Sequence, residues 1–174
     1  MAADRLPDLL VGDFDSVDRE ALESVARLGV PLKRHPMDKD ASDLDLALVH
    51  AREAGARSVR FAAAFSGRLD HTLAALGTLL RAADLSGSID EPDLQGYALD
   101  SRYKASLSLQ APAGQSLSIF SVNPSTTVSL AGVRYPLTVG SLPVLSSLGL
   151  SNVALGGEFS VTVHSGSVVV LVSV

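Results

Sequence analysis

Leu9-Leu10-Val11-Gly12-Asp13-Phe14-Asp15-Ser16-Val17 is a short apolar run that breaks at a glycine into two aspartates and a serine. A run of this length, closed by a turn signal, reads as a buried strand, with Asp13 and Asp15 at its carboxyl end. Ser16 or Asp18 can then cap a helix over about residues 17–28, with Ala21, Leu22, Val25 and Leu28 on one face, and Gly29 stops it. The alternation continues. Residues 30–35 read as a strand, and Ser42 or Asp43 caps a helix to about Ala54 with Leu44, Ala47, Leu48 and Ala51 at helical spacing. Residues 58–64 are the next strand and residues 69–83 the next helix, with Leu73, Leu76, Leu79 and Leu80 inward. Strands alternating with helices predict an α/β domain with a parallel, doubly wound, Rossmann-like sheet. In such sheets ligands bind in the crevice beyond the strands' carboxyl ends.

The second half has a different texture. Sixteen of the 19 acidic and 11 of the 14 basic residues fall in residues 1–91, leaving three of each for the rest. Ser106-Leu107-Ser108-Leu109, Ser116–Phe120, Thr127–Leu130 and Phe159–Val163 alternate polar and apolar. Period two at intervals of roughly ten residues predicts an all-β antiparallel sandwich. The tail Ser167–Val174 is short and β-branched and reads as a buried strand. Leu85–Pro92 has the Gly/Ser/Pro content of a linker. The expected organisation is an α/β domain over residues 1–88 and a β-sandwich over residues 93–174.

With 174 residues and 47% hydrophobic composition, the chain can bury one sizeable core or two small ones. A net charge of −5 argues against a general nucleic-acid or acidic-membrane binder. Cysteine is absent, which excludes a disulfide framework and thiolate chemistry and suits a cytoplasmic location. Residues 1–20 carry several charges and no long apolar run, so no signal peptide is expected, and no apolar run reaches the ~18 residues needed to span a bilayer.

Three charged clusters fall on the strand-to-helix connections. Asp13 and Asp15 share one side of an extended segment, so both can approach one cation. Taken alone, they read equally as a solvated turn. Lys39-Asp40-Ala41-Ser42-Asp43 taken alone is a helix N-terminus whose acids complement the dipole. Ser66-Gly67-Arg68-Leu69-Asp70-His71 places an arginine fork and an aspartate at a helix mouth, where anions are also favoured. His71 there reads as a base or, more commonly, a structural hydrogen-bonder. Jointly, the carboxylates and the arginine match what a magnesium–nucleotide site needs, because Mg²⁺ takes oxygen ligands and shares them with substrate phosphates.

Together these motifs resemble the thiamine pyrophosphokinase family. Its Gly-Asp-Phe-Asp-Ser segment stands at 12–16, its Lys-Asp-x-Thr-Asp-x-x-Leu-Ala-Leu segment at 39–48 as KDASDLDLAL, and its Gly-Gly-Arg-x-Asp-His-x-Leu-Ala-Asn segment at 66–75 as SGRLDHTLAA. Gly132–Leu137 and Leu150-Ser151-Asn152 resemble segments of the family's β domain. The resemblance implies a homodimer that transfers pyrophosphate from ATP to thiamine, with Mg²⁺, releasing AMP. It assigns Asp13, Asp15 and Asp40 to the metal and, with Asp70, to catalysis. It assigns Asp13, Asp15, Arg68, Asp70 and His71 to the nucleotide, and Asp40, Asp43, Ser151 and Asn152 to thiamine.

Departures from the pattern are Ser42 for Thr, Ser66 for Gly and Ala75 for Asn. The family also has an earlier strand and an Asp-Gly-Gly-Ala loop, so the resemblance implies that the first strand is missing and that Ala2–Asp8 is the tail of the following helix. A non-catalytic thiamine- or nucleotide-binding protein is the alternative this raises. A Mg²⁺-dependent phosphohydrolase of the haloacid dehalogenase type is a third, because Asp13–Val17 fits Asp-x-Asp-x-Thr/Val. No later acidic pair supports that third reading, and an all-β second half does not suit it.

Overall fold

A computed structural model of the chain describes residues 6–15, 17–36 and 40–174, so Ser16 and Lys39 of the quoted motifs lie outside the described residues. The chain divides into two compact units, residues 1–54 and 55–174.

The first unit contains β1 (Leu10–Gly12), α1 (Arg19–Arg27), β2 (Leu32–Arg34) and α2 (Asp43–Glu53). β1 and β2 pair in parallel with Gly12 opposite Arg34, and α1 connects them, which makes a βαβ unit. Asp18 caps α1 by accepting from Glu20 N. At α2 a full capping box forms: the Ser42 hydroxyl accepts from Asp45 N, and the Asp45 carboxylate takes the Ser42 N–H in return. Serine in place of threonine therefore keeps the cap. Among the described residues of this unit, Val30 and Leu48 are the buried hydrophobics, and α1 buries no residue fully.

The second unit contains β3 (Arg60–Ala62), α3 (Leu69–Arg81), a 3-10 turn at Ala83–Leu85 and β4 (Ser88–Glu91), followed by β5 (Leu94–Asp100), β6 (Ser106–Ala111), β7 (Ser116–Ser121) and β8 (Thr127–Ala131). β9 (Leu137–Ser141), β10 (Asn152–Val153), β11 (Gly157–Ser165) and β12 (Ser167–Ser173) complete it. A six-stranded sheet runs β10-β7-β12-β5-β4-β3 and a four-stranded sheet runs β6-β11-β8-β9. Leu99, Leu117, Ile119, Val168 and Val170 from the first interleave with Leu107, Val128, Phe159, Val161 and Val163 from the second in one buried cluster. This is the sandwich that the period-two pattern predicts. The tail is β12, a central strand between β5 and β7. It is apolar on both faces because Val168, Val170 and Val172 enter the sandwich core, while α3 packs over β5 and β12 on the opposite face. Leu79, fully buried on α3, would touch a Cβ built on Gly96 of β5.

Three expectations change. The single parallel, doubly wound sheet is not found among the described residues. Parallel pairing occurs twice, in β1–β2 and in β3–β4, each within a βαβ unit, and β4 then pairs antiparallel with β5, giving a mixed sheet. The stretch read as a linker is in large part β4: Ile89 is fully buried, and β4 lies between β3 and β5. Its Ser/Gly content has another cause. Ser86 adopts a left-handed backbone (φ 51°), and a Cβ on Gly87 would collide with Ala82 Cβ at 2.8 Å, so the turn from α3 into β4 needs glycine at 87. The hydrogen-bonded sheet thus draws residues 55–91 into the same compact unit as the sandwich. Of the expected helix tail, Leu6–Asp8 are exposed and non-helical, and Ala2–Arg5 lie outside the described residues.

Candidate active site

The carboxyl end of β1 and the amino end of α2 meet. A Cβ built on Gly12 would stand 3.3 Å from Asp43 Oδ2, so a side chain at residue 12 would crowd that carboxylate. Asp13 follows directly and is half-buried. Phe14 takes a left-handed backbone (φ 60°), a strained state for a bulky residue that other contacts must hold. Two such contacts are present. Asp13 Oδ1 accepts from Asp15 N at 3.2 Å, and the Arg34 guanidinium sits 5.4 Å over the Phe14 ring while donating to the Asp13 carbonyl at 3.2 Å. Arg34 ends the neighbouring strand, in register with Gly12. Sequence reading passed over it, yet any residue ending a parallel neighbour of β1 must face the same loop. Asp15 and Asp40 are exposed on the two connections.

No group of three or more His, Cys, Asp or Glu side chains among the described residues is placed to share one metal ion. Mg²⁺ does not require one. It is usually held by one or two carboxylates, with substrate phosphates and water completing its shell. Asp13, half-buried at the end of β1, and Asp15 and Asp40, exposed on the two connections, are all-oxygen donors of the kind that chemistry takes.

In the second unit the connection after β3 repeats the device. Ala63 is left-handed (φ 52°), and the Glu91 carboxylate accepts from Ala64 N at 2.7 Å and Phe65 N at 3.0 Å. This turn leads to Arg68, the N-cap residue of α3, which supplies no side-chain cap to the helix. The Arg68 guanidinium instead grips Asp70 through two bonds, Nη2–Oδ2 at 2.6 Å and Nε–Oδ1 at 3.2 Å. That grip holds the Asp70 carboxyl below its ordinary range and raises Arg68. Both side chains are solvent-exposed, as is His71 in the first turn. An exposed fork at an uncapped helix start suits a phosphate.

Ser151 and Asn152 behave differently from one another. Ser151 is exposed, left-handed (φ 55°), and its N–H donates to Ser118 Oγ at 3.1 Å. Asn152 is buried. Its Oδ1 accepts from Tyr135 N at 3.1 Å and its Nδ2 donates to Tyr135 O at 2.8 Å, so its amide fixes the 134–136 turn. Ala75 is buried on α3.

Residues 1–89 match the model of the thiamin pyrophosphokinase catalytic domain, and residues 104–170 match the model of the thiamin pyrophosphokinase vitamin B1 binding domain. The chain belongs to the thiamine pyrophosphokinase family. Among curated proteins it is 25% identical over 169 residues to Thiamine pyrophosphokinase 1 of Arabidopsis thaliana, covering 92% of this chain and 62% of that one. It thus spans somewhat less than two thirds of the curated relative's length. Its fold matches the crystal structures of a thiamin pyrophosphokinase family protein from Enterococcus faecalis (TM-score 0.82, 24% identity, 99% of this chain and 82% of that one) and of thiamine pyrophosphokinase from Bacillus subtilis (TM-score 0.81, 21% identity, 97% and 79%). The family models divide thiamine pyrophosphokinases near the composition break at residue 90, although in this member the compact units divide at 54/55.

Proposed function

We propose that this chain is a Mg²⁺-dependent thiamine pyrophosphokinase. The thiamine hydroxyl oxygen attacks the β-phosphorus of ATP. The bond from that phosphorus to the oxygen bridging the α-phosphate breaks, AMP leaves, and the hydroxyl proton passes to solvent. The observation that carries this reading is the meeting of Asp43 with Gly12 directly before Asp13, on a loop held in a strained form by Arg34. In phosphoryl-transfer chemistry the protein mainly positions groups and offsets charge.

Asp13, Asp15 and Asp40 supply the carboxylates for the metal, one or two of which would hold it directly while phosphate and water complete its shell, and its part is to neutralise phosphate charge. Asp43 supports the thiamine side with Asp40, and Arg68 takes nucleotide phosphate. Asp70 keeps the arginine fork aimed, and His71 stands beside it on the nucleotide side. Ser151 lines the thiamine side, and Asn152 shapes that wall through Tyr135. Each βαβ unit serves, within its own compact unit, as a Rossmann-like nucleotide-binding element. The functional form is a cytoplasmic homodimer holding thiamine between subunits, which sedimentation with and without thiamine would test.

The direct test incubates the chain with ATP, Mg²⁺ and thiamine and measures AMP and thiamine diphosphate. Stoichiometric, thiamine-dependent formation of both is expected, and Asp13→Asn should lower kcat by about a hundredfold or more, as removal of a preorganised charge-stabilising group does. Binding of both ligands without AMP formation would reject the reading in favour of a non-catalytic binder.

A further inference from the structure

Two histidines outside these roles face one another in the first unit. His35 follows β2, and its N–H donates to Gly12 O at 2.9 Å, which anchors its backbone to the end of β1. His50 lies on α2, and 9% of its side-chain surface is exposed. Their Nε2 atoms are 3.3 Å apart, with ring centroids 5.6 Å apart and planes inclined at 31°. On the far side of His50, Nδ1 lies 2.9 Å from Glu53 Oε2. An ionised carboxylate only accepts, so in the tautomer that satisfies Glu53 the proton sits on Nδ1 and the His50 Nε2 lone pair is on the side that faces His35. Lys33 Nζ stands 3.7 Å from the same carboxylate and 3.2 Å from Nδ1, where it balances the Glu53 charge. The His50 hydrogen bond and the Lys33 charge together hold Glu53 below its ordinary range.

We propose that His35 and His50 form a binding site for a first-row transition-metal ion of the Zn²⁺ type, distinct from the carboxylate site for Mg²⁺. Two Zn–N bonds of about 2.05 Å at a tetrahedral angle set their nitrogens about 3.3 Å apart, which is the separation between these rings. Imidazole nitrogens favour Zn²⁺, Ni²⁺ and Cu²⁺ over Mg²⁺. The Glu53–His50 contact is the carboxylate–histidine pairing that fixes the tautomer of a metal-bound imidazole and raises its basicity. Because no third His, Cys, Asp or Glu among the described residues converges on the pair, water completes the shell. The ion would staple the end of β2 to α2.

The test titrates the full chain with Zn²⁺ by calorimetry in excess Mg²⁺, and follows all four imidazoles by nitrogen-15 NMR. One bound Zn²⁺ is expected, with shifts confined to the His35 and His50 rings. His35→Gln should weaken binding at least tenfold, Glu53→Gln should weaken it about 10- to 100-fold while leaving both ligands in place, and His164→Gln should not change it. Circular dichroism confirms that each variant is folded, and Glu53→Gln retains both rings if His35→Gln does not fold. Equal affinity in wild type and in both site variants, or ring shifts absent at saturating Zn²⁺, would overturn the site. The second outcome would leave a plain N–H···N bond between the rings.

Discussion

The two compact units of this chain are built on different physics. Residues 55–174 hold nearly all of the buried hydrophobic side chains, including fully buried Leu79, Ile89, Leu99, Ile119, Val128, Val161, Val168 and Val170. Residues 6–54 hold Val30 and Leu48, with two strands of three residues each and two helices. The thin unit nevertheless carries Asp13, Asp15, Asp40 and Asp43 and the strained Phe14. Segments that bind and release ligands are drawn from the less stable part of a protein, because they must open. In the thick unit, Arg68 and Asp70 stand at the start of α3, a helix anchored by buried Leu79.

The widest contrast is in core truncation. Phe159→Ala should cost about 3–5 kcal/mol and lower the melting of residues 55–174, because its closely packed site collapses poorly. Leu48→Ala should cost about 2–3 kcal/mol, and hydrogen exchange should show the loss confined to residues 6–54. If both variants melt as one transition with equal loss across the chain, the two-unit picture fails.

A smaller effect belongs to the sandwich alone. Buried Asp100 accepts from Arg102 Nε at 3.0 Å, Arg102 Nη2 at 2.9 Å and Ser167 Oγ at 2.6 Å, linking the end of β5 to the start of β12. These bonds, the Arg102 fork foremost, hold its carboxyl far below the ordinary range. With the folded value depressed, the stabilisation is complete above about pH 4, the value of an unfolded aspartate, and is lost as pH falls further. Asp100→Ala should cost about 1.5–3 kcal/mol at neutral pH, as loss of charge-assisted bonds does, and should flatten the acid limb of a stability–pH curve. An unchanged acid limb would show that the pair contributes nothing.

The smallest change tests the thin unit's local design. Ser42→Ala removes the capping box of α2 and should cost about 1 kcal/mol, with fraying of Asp43–Asp45 seen by NMR.

Much of this arrangement was legible in the residues. Helical spacing and caps located α1, α2 and α3 because each keeps one apolar face, and strict alternation located β6, β7, β8 and β11 because one face of each enters the sandwich. β4 was hidden because Ser86, Gly87 and Ser88 carry the chemistry of a loop while serving a tight helix-to-strand turn. The carboxylates stood out through motif spacing. Arg34 did not, because its role depends on strand register, and the Ser167 bond to Asp100 spans 67 residues that no local pattern connects.

The central claim is that the acidic loops of the thin unit receive the magnesium–nucleotide while the sandwich core stays unchanged. Hydrogen exchange with and without Mg²⁺ and a non-hydrolysable ATP analogue tests it most directly. The account predicts slower exchange at residues 12–15, 40–45 and 66–71, and no change in β7, β11 and β12. Unaltered exchange in those three segments at saturating nucleotide would contradict it.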